Sequence, residues 1–228
     1  MLELAGLSFA YTHGQPALTI EACEIKAGES VVLLGENGSG KTTLLRTLAG
    51  LCTPQSGRIR LRGRDITRLS PAQRSALIAY LPHNPDVLFS RTSAEAEVAA
   101  ALKRGPAISC DVRGRLEQAG LSDQAAAHPL TLSHGERYRL ALAMLLARSP
   151  DLLLLDEPTG SLDQAEIGLL CRLMTAFCAS GRGVITVTHD PDQLLRHGVL
   201  QRAFQLADHR LSETALGADY IFSTKETV

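Results

Sequence analysis

Apolar residues change their period along the chain, and each change predicts an element. Residues 2–10 and 18–25 alternate apolar with polar positions, as strands with one buried face do. Between them Tyr11-Thr12-His13-Gly14-Gln15-Pro16 reads as a turn. Val31-Val32-Leu33-Leu34 is instead a continuous apolar run, the pattern of a strand covered on both faces. A glycine-rich loop follows, then a helix through Leu44, Leu45 and Leu48 that Gly50 should stop. Ile78-Ala79-Tyr80-Leu81 predicts another strand, ended by a loop bracketed by Pro82 and Pro85. From about Thr92 to Arg148 the period is helical, with breaks at Gly105-Pro106 and His128-Pro129. Strand patterns return at 152–155 and 183–188 with a helix at about 164–180 between them, and 201–206 with 210–214 reads as a short closing hairpin. Strands alternating with helices predict an α/β fold, a parallel sheet with helices on its faces. The block at 92–148 is then a helical insertion between sheet strands.

Length and composition narrow the class. At 228 residues the chain suits one well-cored domain, and 45% hydrophobic with 21% charged residues is ordinary globular usage. The apolar runs are too short to cross a bilayer and the N-terminus lacks the pattern of a secretory signal, so a cytoplasmic protein is expected. Five cysteines, with no C-x-x-C pair, support neither a disulfide framework nor a zinc site; reduced, mostly buried thiols are expected. A net charge of −1 argues against a broad nucleic-acid surface. The alternating stretch Arg58-Ile59-Arg60-Leu61-Arg62-Gly63-Arg64 reads as a strand with its arginines on a solvated face.

Two constellations carry chemistry. Gly35-Glu36-Asn37-Gly38-Ser39-Gly40-Lys41-Thr42-Thr43 fits G-x-x-x-x-G-K-[ST], and it stands after a buried strand and before a helix, as the phosphate-binding mechanism requires. Glycines let successive backbone N–H groups point inward, and the helix N-terminus adds partial positive charge. Lys41 would offer a point charge to the outer phosphates and Thr42 a hydroxyl to Mg²⁺. The second constellation is Asp156-Glu157, after the leucines at 152–155. Asp156 would stand at the carboxyl end of a central strand, beside the glycine loop if the two strands are neighbours, as a metal ligand acting through water. Glu157 would face the γ-phosphate side and polarise an attacking water. His189, after the run 183–188, would reach the same sheet edge and touch γ-phosphate.

A third feature has no obvious use in a single chain. Ser133 and Glu136 form the S-x-x-E capping box of an apolar helix, while Gly135 lowers helix propensity and calls for another reason. A helix N-terminus with a glycine for close approach is a second anion site. One glycine loop already satisfies one nucleotide.

Taken in order, these motifs resemble the ABC ATPase family over nearly the whole chain. Leu132-Ser133-His134-Gly135-Glu136 is similar to the family's signature, Leu155-Asp156-Glu157-Pro158 to its Walker B motif, Ser161-Leu162-Asp163 to its D-loop and His189 to its switch histidine. Tyr11 stands where an aromatic residue stacks on adenine. The resemblance implies a P-loop NTPase (RecA-like) core with an N-terminal antiparallel β subdomain and an inserted α-helical subdomain. It implies one domain over 1–228: core and β subdomain at 1–91 and 149–212, helical signature subdomain at 92–148, tail at 213–228. It also implies ATP and Mg²⁺ as cofactors, and a head-to-tail dimer in which Ser133, His134, Gly135, Glu136 and Asp163 hold the nucleotide of a second subunit, identical or a paralogue.

Departures from the family pattern are informative. His83 replaces the usual glutamine after the strand at 78–81, and His134 replaces the signature's first glycine. Both positions lie near γ-phosphate in the family, so hydrolysis is expected to be sensitive to pH. The segment His83-Asn84-Pro85-Asp86-Val87-Leu88-Phe89-Ser90, followed by Thr92 and Glu95, resembles energy-coupling-factor (ECF) ATPases, though it is one residue shorter between Asp86 and Leu88. Those power uptake of vitamins or transition-metal ions, and in them this stretch adjoins the groove for an integral membrane coupling subunit that works with a substrate-binding membrane component. The expected function is thus a transporter motor, peripheral on the cytoplasmic face of the membrane. A soluble ABC ATPase, and a nucleotide-gated binding module with weakened hydrolysis, are the other readings the sequence leaves open.

Overall fold

The computed structural model describes residues 1–11, 17–105, 111–160 and 162–216. The turn expected at 12–16, Pro106, Cys110, Ser161 and the end of the tail lie outside these residues. In chain order the strands are β1 (Leu2–Phe9), β2 (Leu18–Ile25), β3 (Ser30–Leu34), β4 (Ser56–Leu61), β5 (Arg64–Asp65), β6 (Ile78–Leu81), β7 (Leu152–Asp156), β8 (Gly183–Val187), β9 (Arg202–Ala207) and β10 (Arg210–Thr214). The helices are α1 (Lys41–Ala49), α2 (Pro71–Arg74), α3 (Ala94–Leu102), α4 (Val112–Gln118), α5 (His134–Leu146), α6 (Gln164–Ala179) and α7 (Asp192–Arg196).

All ten strands join one sheet in the order β5-β4-β1-β2-β10-β9-β3-β8-β7-β6. The run from β9 to β6 is parallel, and β1 pairs antiparallel with both β2 and β4. In β1 the apolar residues Leu2, Leu4, Leu7 and Phe9 are buried, and their alternation slips by one where the pairing with β4 shifts register between Ala5 and Ser8. Arg58 and Arg60 of β4 are exposed and Ile59 and Leu61 buried, so the arginine stretch is a solvated face as its pattern implies.

The continuous apolar strands serve two cores at once. Along β7, Leu152 and Leu154 pack with α1 and the antiparallel strands, while Leu153 and Leu155 pack with α5 and α6. In β3, Val31 and Leu33 face the first core and Val32 and Leu34 the second. Each such side chain contributes about 1.5–3 kcal/mol by leaving water, which is why these strands cannot alternate with polar residues. A third cluster, including Val98, Leu116, Leu132 and Leu140, binds α3, α4 and α5 to one another. These helices lie between β6 and β7 in the chain.

Strand order decides two points that the pattern leaves open. β3 and β7 are not neighbours, because β8 lies between them and pairs with both. The closing hairpin is more than an appendage: β9 pairs parallel with β3, and β10 meets β2 at Arg210 and Thr19, so it is the seam that makes the antiparallel and parallel parts one sheet. The short α2 escaped the periodicity because four residues are about one turn. A capping box of Ser70 and Gln73 starts it, and buried Arg74 donates to the carbonyls of Thr47, Leu48 and Thr67, satisfying the C-terminal end of α1.

Candidate active site

The loop between β3 and α1 takes its shape from glycine. Gly40 caps α1 with φ 107°, and a side chain there would meet the Ala17 carbonyl at 2.6 Å, so both backbone and space exclude other residues. Lys41, 7% exposed, donates from Nζ to the carbonyls of Gly35 at 2.6 Å and Glu36 at 2.8 Å. Burial lowers its pKa, opposed by the charges of Glu157 and Asp156. The ammonium is therefore held in a site where two carboxylates favour it.

Thr42, one residue into the helix, donates to Asp156 Oδ1 at 3.3 Å. Asp156 is 5% exposed, and its Oδ2 accepts the hydroxyl of Tyr80 at 3.0 Å. Burial first, then the charge of Asp156, raises the phenol's pKa, so Tyr80 keeps its proton. The helix that follows the loop thus carries Thr42 across β8 to the aspartate without the strands being adjacent.

Glu157 has φ 54°, a left-handed conformation that costs about 1–2 kcal/mol in a residue with a side chain. Its own N–H is held by the Val187 carbonyl at 2.8 Å, which keeps the residue at the sheet edge beside β8. Its carboxylate accepts the His189 backbone N–H at 3.0 Å and lies 3.1 Å from His189 Nε2. His189 thus meets Glu157 through both its backbone and its side chain. Asn37, Gly38, Lys41, Thr42, Thr43, His83, Asp156, Glu157 and His189 all line one cleft of about 780 Å³. Tyr11 stands at its rim, 65% exposed, its ring edge-on to Phe9 and its hydroxyl 2.7 Å from Thr43 Oγ1.

The tip of α5 lies elsewhere. Ser133 Oγ accepts the Glu136 N–H at 3.3 Å, and Glu136 accepts the Ser133 N–H at 2.8 Å, the capping box the sequence implies. Those bonds pull the Glu136 pKa down. Asp163 caps α6 through a second box with Glu166. Neither the residues 133–136 nor Asp163 line the cleft. Within one chain, the glycine loop and the signature-like tip do not meet.

The family described as ABC transporter matches residues 20–160. The chain belongs to the ABC transporter family. It is an ATPase domain of that family, whose members bind ATP. LolD, a lipoprotein-releasing system ATP-binding protein of Chromohalobacter salexigens, is 36% identical over 226 residues, 94% of this chain and 94% of its own length. Among solved structures, a dimeric ATP-binding cassette in a post-hydrolysis state with ADP and Pi is 27% identical, with a TM-score of 0.81 over 96% of this chain and 100% of that one. The cbiO1 protein of Clostridium perfringens, part of the ABC transporter complex cbiONQ, is 28% identical with a TM-score of 0.78 over 92% and 86%.

Some residues at this ABC site were not visible in the sequence pattern. Tyr80 reads as one strand aromatic among others; only the register of β6 on β7, Tyr80 opposite Leu154, sets it diagonal to Asp156 on the same face. Glu166 reads as a surface charge of α6, yet its carboxylate lies against Gly135. In the ECF-like stretch, Ser93 caps α3, and Glu97 is a buried carboxylate while Glu95 is exposed. Glu97 accepts the backbone N–H groups of Ser90 and Arg91 and so ties that loop to the helices.

Proposed function

We propose that this ATPase is a transporter motor that works as a head-to-tail pair, each glycine loop closing on the α5 tip of the other copy or of a paralogue, with ATP between them. One observation carries this: the glycine loop lines the cleft, whereas the capped tip of α5, a second helix N-terminus suited to an anion, has no residue in that cleft. Two-fold assembly brings each against its complement.

In this reading the loop N–H groups and Lys41 hold the polyphosphate, and Tyr11 offers its exposed ring to adenine. Thr42 and Asp156 fit Mg²⁺: two hard oxygens converge beside the phosphate cradle, and among the described residues no cluster of three or more His, Cys, Asp or Glu could hold a metal. Such a donor set leaves most positions to water and phosphate oxygens, as Mg²⁺ prefers. When bound, the ion neutralises charge on the phosphates. Glu157 orients and polarises the attacking water, and His189 fixes the direction of that carboxylate through two contacts. His83 lines the wall of the same cleft. Ser133, Gly135 and Glu136 present the partner's γ-phosphate with a capped helix end, with His134 and Asp163 beside them.

The membrane coupling we propose is of the ECF type, importing a vitamin or a transition-metal ion. The stretch 83–95 supports it, as does the likeness to cbiO1. A groove lined by Leu88, Arg91, Ala100, Arg104, Met144 and Arg148 adjoins that stretch, and Val87 beside it is 72% exposed. No helix among the described residues is long and apolar enough to cross a membrane, so a separate membrane subunit would carry the substrate and hold this chain at the cytoplasmic face. The likeness to LolD over 94% of both chains favours a second reading, lipoprotein release. Affinity capture of the tagged chain from solubilised membranes tests both. An ECF-type coupling subunit supports the first, a lipoprotein-releasing partner the second, and capture with Ala100→Glu should fail in either case because the groove is filled.

A further inference from the structure

Asp156 has two oxygens with different partners. Oδ1 lies 3.3 Å from Thr42 Oγ1, on the side of the glycine loop, while Oδ2 accepts Tyr80 Oη at 3.0 Å. Tyr80 is half-buried, and Asp156 Oδ2 is the acceptor its hydroxyl meets. A phenol has one proton. An ionised carboxylate only accepts, so that proton goes to Asp156. Thr42 of α1 and Tyr80 of β6 thus each take one oxygen of the β7 aspartate.

We propose that Tyr80 is a positioning residue for the metal site: it pins Oδ2 so that Oδ1 is presented, with Thr42, to the divalent cation that accompanies ATP. An unpinned carboxylate turns about its last torsion and offers either oxygen. Partners that hold a ligand in place matter nearly as much as the ligand, and their loss typically weakens metal affinity by about 10–100-fold. The inference rests on the reading of the cleft as an ATP–Mg²⁺ site. It separates two parts of nucleotide binding: the loop and Lys41 grip phosphate without metal, whereas Asp156 acts only with it.

A side chain that merely filled the core would be replaced without loss by phenylalanine, which keeps the ring and deletes the hydroxyl. The test is therefore Tyr80→Phe in the full chain, read by binding of a fluorescent ATP analogue, first in EDTA and then across a Mg²⁺ titration. Mn²⁺ binding in the presence of nucleotide, followed by electron paramagnetic resonance, gives a direct metal readout. The expected result is unchanged affinity in EDTA, with the Mg²⁺ needed for half-maximal enhancement and the Mn²⁺ dissociation constant raised by about 10–100-fold. Equal metal dependence of wild type and Tyr80→Phe overturns the role of Tyr80, as does loss of binding in EDTA, which marks a structural residue. Wild-type binding that ignores metal altogether overturns the reading of the cleft itself, a different failure from the first.

Discussion

The carboxylate of Glu166 occupies the space that a side chain on Gly135 would need. Gly135 belongs to the tip of α5 and Glu166 to the first turn of α6, where its other oxygen closes the capping box with the Asp163 N–H at 3.0 Å. The glycine that seemed to ask for a ligand therefore also has a reason inside the chain. One carboxylate thus closes the D-loop-like cap and packs against the signature-like tip.

From that contact a coupled pair of effects is expected. Gly135→Ala must push the Glu166 carboxylate aside and break its bond with the Asp163 N–H, a loss of about 0.5–1.5 kcal/mol. With Glu166→Ala already in place the same change should be neutral or stabilising by up to about 1 kcal/mol, because alanine is the better helix former. Urea unfolding of the two single variants and the double variant gives the coupling. Additive losses would show that the two residues do not share this space.

Glu157→Gln keeps the shape of the side chain and its contact with His189 but removes its charge as a base. Turnover should fall by about 10²–10³-fold, the scale of losing one transition-state contribution. Because nucleotide is then retained, the variant should form dimers with ATP that light scattering detects, and monomers with ADP. A monomer in both nucleotides would refute the head-to-tail assembly.

His83 lines the cleft and His134 opens α5, and the resemblance of the sequence implies an amide and a glycine at these positions. Turnover of His83→Gln/His134→Gly should therefore differ from that of wild type. Equal turnover would reject any role for the imidazoles in hydrolysis.

Glu136 gives a pH effect on stability. Its hydrogen bonds with Ser133 hold its pKa below the ordinary 4.5 in the folded chain. A carboxylate so depressed stabilises the fold above its unfolded pKa, and that contribution is lost as pH falls through the folded value. Thermal unfolding of Glu136→Gln should lose less with acid below about pH 4.5 than wild type does, since the amide keeps a capping oxygen without titrating. Parallel losses in the two proteins would count against the box.

Much of this protein is local and so was legible in its sequence. The glycine loop, the capping box of Ser133 and Glu136, the stop at Gly50 and the two-sided strands follow from backbone preferences and burial period, which neighbouring residues determine. What tertiary structure decided is pairing between distant residues. Strand order placed β8 between β3 and β7, so Thr42 reaches Asp156 by the rise of a helix rather than by adjacency of strands. Register set Tyr80 beside Asp156, and the packing of α5 on α6 set Glu166 against Gly135. Periodicity records which face of an element is buried, but not which residue of another element it is buried against; that depends on loop geometry and on side chains many positions away.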